Sequence, residues 1–493
     1  MIDAADIIAL LPILVISATA VVVMLGIAFK RRLAFAAGLT LVGLTVAFIS
    51  IFAAVTRAPR QVTSLLLVDR FALFFMGLII ASAAVVAVLS FDFFKNKPIH
   101  HDELYLLLLL ATVGCSVLVA STHFVALLLG LEILSVSLYA MVGYLKDRSQ
   151  ALEAGIKYLI LASASAAFLL FGLALIYAAT GTMAFAHIRE LSRSGSGVAL
   201  LASGVVLTVT GIGFKLGVVP FHLWTPDVYE GAPAPVAAFV ATTSKSAIVA
   251  LLLRYFYLSR AIQYRGVFLV FSIITIASMC AGNLLALRQR NIKRILAYSS
   301  IAHFGYILVA FLAGGAMAIE AVSFYLVAYS ATILVAFGIV ATLSGFERDA
   351  DDIEDYRGLF WRRPVIAGAL AVALLSLAGI PATIGFLSKF YVLAAGAEAA
   401  AWPLVLILVI TSVAGLYYYL RIVVALYSGP PEHAFMPTVS RSSALVTIAL
   451  SLLLIWFGIY PTPLLNLVRT TMVGVMPAAS EFEQMTDLRR PSP

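Results

Sequence analysis

The sequence predicts an all-α protein that crosses a membrane about fourteen times. Three observations lead there. Of 493 residues, 63% are hydrophobic and only 11% charged, with a mean hydropathy of +1.07, whereas soluble domains run near half apolar and about a quarter charged. Apolar runs of about 20 residues recur from end to end, each long enough to cross a hydrocarbon core of roughly 30 Å. The connections are short, and their basic residues alternate from loop to loop. Because lipid leaves no partner for an open backbone, only helices or closed barrels span it, and runs this long read as helices.

In chain order the spans fall at about 6–28, 33–55, 71–93, 103–120, 123–144, 152–179, 197–219, 235–258, 266–287, 294–314, 318–344, 364–395, 402–428 and 442–467. The first run has acids before it and Lys30-Arg31-Arg32 after it. A cleaved signal carries its positive charge in front, so this run reads as a retained span. One set of loops holds Lys30, Arg31, Arg32, Lys95, Lys97, Lys146, Arg148, Arg288, Arg290, Lys293, Arg294, Arg348, Arg357, Arg362, Arg363, Arg421 and Arg441. The other holds only Arg57, Arg60, Arg189, Arg193, Arg260 and Arg265. The positive-inside bias puts the first set in the cytoplasm and both termini on the periplasmic side. No loop is long enough for a folded soluble domain. The longest, 345–364, mixes both signs and reads as a solvated loop or a docking point for a peripheral subunit.

Several chemistries are excluded. Cys115 and Cys280 lie far apart in apolar segments and form neither a metal pair nor a disulfide framework, so they read as small packing residues. The net charge of +8 sits in short loops and points to no nucleic acid. There is no Walker loop, no GxGxxG after a strand and no HExxH.

The informative residues are charges within spans. Four of the nine lysines lie there: Lys157, Lys215, Lys245 and Lys389. One acid, Glu132, is near the middle of its span. A charge at the bilayer centre costs at least roughly 2.5–3.5 kcal/mol on insertion scales, so such residues usually face a polar interior. Lys157 follows Glu153 by four residues near a span end, and an interfacial pair explains it as well as function does. Lys215 is followed by Pro220, which has no N–H and clashes with the Leu216 carbonyl in a continuous helix. The helix must open beside the lysine, and irregular backbone at membrane depth is tolerated where it lines a wet cavity. Lys245 is flanked by Thr242, Thr243, Ser244 and Ser246, hydroxyls that hydrate, relay, or simply let helices approach. Lys389 follows a second break, "LAGIPATIGF", where Pro381 frees the Leu377 carbonyl and Gly379 and Gly385 loosen the flanks. Two Gly/Pro-interrupted spans with buried lysines form the pattern of a transport path.

A lysine in water titrates near 10.4, too high for a relay at neutral pH. Burial disfavours the ammonium and a nearby carboxylate favours it. A desolvated lysine with a movable acidic partner therefore has two protonation settings. Lys215 is the expected base and Glu132 its expected partner. His222, just past Pro220, and His303, in "YSSIAHFGYIL", titrate in a useful range, though a helix–helix hydrogen bond accounts for each equally well. His100, His101, His187 and His433 lie in loops.

The stretches "GFKLGVVPFHLWTPDVYEGAPAPVAAFVATTSKSA", "NIKRILAYSSIAHFGYILVA", "YRGLFWRRP" and "LSLAGIPATIGFLSKFYVL" resemble the N subunits of bacterial NADH-quinone oxidoreductase (complex I), and the resemblance covers essentially the whole chain. The residues after the tryptophan separate this group from the related L, M and Mrp-type subunits. The resemblance implies an antiporter-like fold of fourteen helices. Residues 1–100 would be an N-terminal three-helix segment and 101–260 the first repeat (helices 4–8). An inverted second repeat (helices 9–13) would occupy 261–430, and helix 14 with the tail 431–493. Helices 7 and 12 would be broken. It further implies that the family's helix-5 glutamate falls on Glu132, its helix-6 lysine on Lys157, and its lysines of helices 7, 8 and 12 on Lys215, Lys245 and Lys389.

The expected function is proton translocation in the bacterial inner membrane, beside other membrane-arm subunits and driven by quinone reduction elsewhere. Flavin (FMN), iron–sulfur clusters and quinone would belong to partner subunits, with no cofactor in this chain. An Mrp-type Na⁺/H⁺ antiporter subunit is the first alternative, though one mid-span acid is thin support for a cation cage. A passive scaffold is the second, and it gains nothing from desolvating four lysines.

Overall fold

The computed structural model describes residues 3–95, 101–188, 198–259, 261–345, 348–429 and 440–472. Among these, thirteen helices are each long and apolar enough to cross a membrane. Two consecutive shorter helices, Pro364–Ala378 and Ile384–Glu398, supply the remaining expected span. Span ends agree with expectation to within about three residues, the last excepted. There the helix stops at Ile459, because Tyr460 precedes Pro461 and leaves helical geometry, and a separate helix Thr462–Met472 follows. Lys97, His100, Arg189, Arg193, Arg260, His433 and the tail beyond 472 lie outside the described residues.

Helices Ala234–Ser259, Ile292–Ala313 and Gly315–Leu343 are buried almost all round and form the centre. Spans such as Ala4–Phe29, Leu33–Val55, Trp402–Tyr427 and Arg441–Ile459 surround them and expose one apolar side. Phe52, Val136, Ile160, Val413 and Leu445 are among the outward residues, a surface suited to lipid or to neighbouring membrane helices. Every side chain on the three central helices must therefore find its partner within the protein or its internal water. A short hairpin pairs Arg60–Gln61 antiparallel with Leu67–Val68 just before the third span. The central span Ala234–Ser259 carries a π turn over Val240–Ser244, directly before Lys245, a local widening often found at functional positions.

Both breaks end a helix in the same way. In the seventh span, helix Val198–Leu216 stops at Gly217, whose φ is +70°. Gly217 N–H donates to the Phe214 carbonyl at 2.9 Å and Val218 N–H to the Gly213 carbonyl at 3.1 Å. In the twelfth, Gly379 has φ +84°. Its N–H donates to the Ser376 carbonyl at 3.0 Å, and Ile380 N–H to the Leu375 carbonyl at 3.0 Å. This is the double bond of a Schellman cap, which needs a left-handed residue and so selects glycine. The break attributed to Pro220 thus begins three residues earlier. The helix has ended before the proline, so no clash with the Leu216 carbonyl arises, and Pro220 lies in the linker to helix Trp224–Gly231.

Loop 345–364 is not simply solvated. Ile353 N–H donates to the Arg290 carbonyl at 3.2 Å, and Asn291 bridges to Asp352. Tyr356 and Asp349 are buried. Lys293, read as a loop residue, is in the first turn of Ile292–Ala313 and is buried. Its Nζ donates to Asp349 Oδ2 at 2.7 Å and to the Ala232 carbonyl at 2.8 Å.

Candidate functional site

Lys215 lies next to last in its helix, yet it is buried. Its Nζ donates to Ser135 Oγ at 2.7 Å. Ser135 is on Phe124–Val142, one turn after Glu132. The expected ion pair between Lys215 and Glu132 is not formed. Glu132 is on the exposed side of that helix, and a serine occupies the place given to the carboxylate. Ser135 is buried where Glu132, three residues earlier, is exposed, so the acid stays about a turn away from the lysine.

Lys245 is wholly buried. The hydroxyls flanking it in sequence do not hold it. Thr242 Oγ1 donates back to the Ala238 carbonyl, and Ser246 bonds Ser330. The ammonium instead donates to Ser300 Oγ at 2.9 Å. The rings of Phe304, Tyr229 and Trp224 surround it, with centroids at 4.7, 5.5 and 5.9 Å. Aromatic faces attract a cation where a carboxylate is missing. Ser300 also meets Tyr329 Oη at 2.7 Å and Tyr229 Oη at 3.3 Å.

His303 lies one turn beyond Ser300 and joins three central and outer helices. Its Nδ1 meets Tyr325 Oη at 2.6 Å and its Nε2 meets Tyr419 Oη at 3.1 Å. Tyr419 in turn bonds Ser299. The Tyr306 ring lies 5.5 Å from His303, and Asn283 links the Tyr306 and Tyr418 hydroxyls. Lys389 sits over Tyr306 at 5.4 Å. Its Nζ donates to the Ala378 carbonyl and to Ser412 Oγ, both at 2.8 Å. The carbonyl that Lys389 engages at this break is that of Ala378. Hydroxyl and imidazole groups both donate and accept, so the bonds within the Ser300 group and within the His303 group can each reverse without moving a helix. Among the described residues, ring contacts alone join the two groups and Lys389.

Lys157 belongs to another arrangement. It is exposed and pairs with Glu153 at 2.7 Å and with Asp227 at 3.0 Å. Asp227 also pairs with Arg294 at 3.0 Å, and Arg294 with Glu230 at 2.6 Å. Lys293 and Arg148, at 2.8 Å, clamp Asp349. Burial alone would raise the Asp349 carboxyl, but the two cations outweigh it and hold it below its ordinary 3.8. Burial lifts neighbouring Asp351 above that value. His222 is buried in the linker, and its Nδ1 has no hydrogen-bond partner among the described residues. A buried pair that the sequence reading passed over closes the opposite end. Arg254 donates to Asp69 Oδ2 and Oδ1 at 2.9 and 2.7 Å and to the Val119 carbonyl at 3.1 Å.

Residues 121–415 match the family described as NADH:quinone oxidoreductase/Mrp antiporter, TM. The chain belongs to this family. Among antiporter-family relatives, the NADH-quinone oxidoreductase subunit N of Ectopseudomonas mendocina is 47% identical, over 94% of this chain and 96% of the relative. That of Methylococcus capsulatus is 44% identical, over 93% and 94%. A chain of respiratory complex I from Thermus thermophilus, solved with bound aureothin, superposes with a TM-score of 0.80 at 32% identity, covering 92% of this chain and 98% of that one. A chain of the Mrp complex of Dietzia sp. gives 0.83 at 18% identity, covering 97% and 99%, and shares the fold. The resemblance to N subunits read from the sequence is thus met by relatives that carry that name, and the antiporter-like architecture by the solved structures it matches.

Proposed function

We propose that the chain translocates protons across the bacterial inner membrane as a subunit of NADH:quinone oxidoreductase, set among other membrane-arm subunits. Lys215, Lys245 and Lys389 would be its protonation sites, and hydroxyl, imidazole and water groups the connections. One observation carries the reading: Lys245 is fully enclosed, with a serine and three aromatic faces around it and no carboxylate partner among the described residues. An ammonium so placed costs several kcal/mol, and a purely structural helix would do better with an apolar side chain. Ser300, His303, Tyr419 and Tyr306 then lie between it and the second enclosed ammonium, Lys389. Lys157 and its carboxylates belong at the cytoplasmic mouth, with both termini periplasmic. The division into repeats at 101–260 and 261–430 is part of the proposal, as is the assignment of flavin, iron–sulfur and quinone chemistry to partner subunits.

The deciding experiment measures protons pumped per electron in reconstituted complex carrying Lys215→Ala. The complex should assemble and pump much less. Native rate and stoichiometry would defeat the proposal. Lys215→Arg should also be impaired, since a guanidinium stays protonated throughout this range. Retention of pumping without sodium would separate this reading from cation antiport.

A further inference from the structure

Thr225, like Thr40, Thr243 and Thr275, is a buried threonine whose Oγ1 has no hydrogen-bond partner among the described residues. Thr112, Thr208, Thr242 and Thr332 each donate to the carbonyl four residues back, the usual resting place of a helical hydroxyl. Thr225 is the second residue of helix Trp224–Gly231, so four residues back lies the linker, and no helical carbonyl is on offer. A buried hydroxyl left so costs about 1–3 kcal/mol.

Its direction is given by Gly217. A Cβ placed on Gly217 would stand 2.4 Å from Thr225 Oγ1 and 3.4 Å from Lys245 Nζ. The hydroxyl and the ammonium therefore flank the same face of this glycine, within about 6 Å of one another, an interval that one bridging water spans. Lys245 has three N–H donors, and Ser300 is its one hydrogen-bond acceptor among the described residues. Trp224 turns its indole N–H away, donating to the Phe214 carbonyl at 2.8 Å, and so presents Lys245 with a ring and not a competing donor. The close approach that glycine allows at 217, an unpartnered hydroxyl on one side and spare ammonium donors on the other make a polar site at the first break.

We propose that the Gly217 notch is a hydrated transfer station through which Lys245 exchanges protons with the first break, and that Thr225 is its positioning residue. The inference rests on the proton-translocating reading. In one transfer the break side gives a proton to the station's hydrogen-bonded chain, and the chain passes a different proton to the neutral Lys245 amine. The amine gains one proton and one charge, the break side loses both, and Thr225 ends as the hydroxyl it began as. Alanine at 217 would fill the notch, and valine at 225 would keep its shape while removing the polar atom.

The test uses the whole membrane complex. A high-resolution map should show ordered water within hydrogen-bond distance of Thr225 Oγ1 and Lys245 Nζ, and a dry notch filled by side chains would overturn the proposal whatever the variants do. Thr225→Val should slow coupled turnover about three- to tenfold, the factor expected of one lost hydrogen bond of ordinary strength, and Thr225→Ser should restore most of it. Native turnover in Thr225→Val, or equal damage from valine and serine, would reduce Thr225 to a packing residue and overturn the proposal. If Lys245→Met is impaired while Thr225→Val is not, the station alone fails. If Lys245→Met also pumps normally, the translocation reading itself is wrong.

Discussion

The two broken spans end their first halves with the same cap, yet they use it differently. At Gly379 the ammonium is supplied by the same span: Lys389, in the second half-helix, folds back over the glycine, where a Cβ would meet its Cδ at 2.9 Å and its Nζ at 3.2 Å. It then bonds directly to the freed Ala378 carbonyl. At Gly217 the ammonium over the glycine is Lys245, from the next span, while the break's own lysine turns to Ser135. Indole capping of the Phe214 carbonyl takes the part that Lys389 plays at the other break. The cap is thus a general device that brings an ammonium against bare backbone, and which helix supplies it is a separate choice. Sequence order hides this, since one lysine precedes its break and the other follows.

The largest difference should appear on filling the two notches. Gly217→Ala and Gly379→Ala each place a Cβ in left-handed backbone at about 1–2 kcal/mol. Gly217→Ala also drives a methyl into Thr225, which is fixed on its helix, whereas Lys389 is flexible and can yield. Pumping by assembled complex should fall more for Gly217→Ala, and equal effects would mean the caps alone matter. Next in size is Lys389→Met, which leaves the Ala378 carbonyl and Ser412 without their donor. It should slow turnover in a complex that still assembles, and a fully active variant in a dry site would show that the second break only bends a helix. Tyr419→Phe should act more mildly, because His303 keeps Tyr325 at 2.6 Å. A reduced rate with unchanged assembly is expected, and no change in rate would place the connection between the breaks elsewhere.

The smallest effect at neutral pH concerns the loop that ties the two halves. Asp349 is held below its ordinary range by Lys293 and Arg148. Its contribution is therefore present above the unfolded carboxylate pKa, near 3.9, and is lost as pH falls through the folded value. Thermal inactivation of the complex should be flat in this respect from pH 7 to about 5 and accelerate below about 4. Asp349→Asn should be destabilised already at pH 7 and lose that acid limb. An unchanged acid limb in the variant would assign the loss to other groups.

What was legible in the sequence follows from what is costly. An apolar run has one inexpensive solution in lipid, so span positions were readable, and a lysine inside one was conspicuous for the same reason. Hydroxyls carry no such signal, because Ser and Thr are compatible with packing, capping or relay alike. Ser135, Ser300 and Ser412 therefore emerged only with the fold, as did Tyr325, Tyr329 and Tyr419, whose rings read as apolar. Arg254 is a signal of the same kind as the lysines, a charge within a span near its end. Lys293 was lost to a boundary error of two residues at a helix start. Pro220 drew the eye from Gly217, although a Schellman glycine ends a helix without help from a later proline.

In the proposed function the ammonium enclosed between the two breaks carries protons and does not merely pack. Lys245→Met decides between the two roles. Methionine has similar length, suits the faces of Phe304, Tyr229 and Trp224, and removes a buried charge, so assembly and heat resistance should be kept or improved. In reconstituted complex, protons pumped per electron and coupled turnover should both fall sharply. A stable Lys245→Met complex with native stoichiometry and rate would contradict the account.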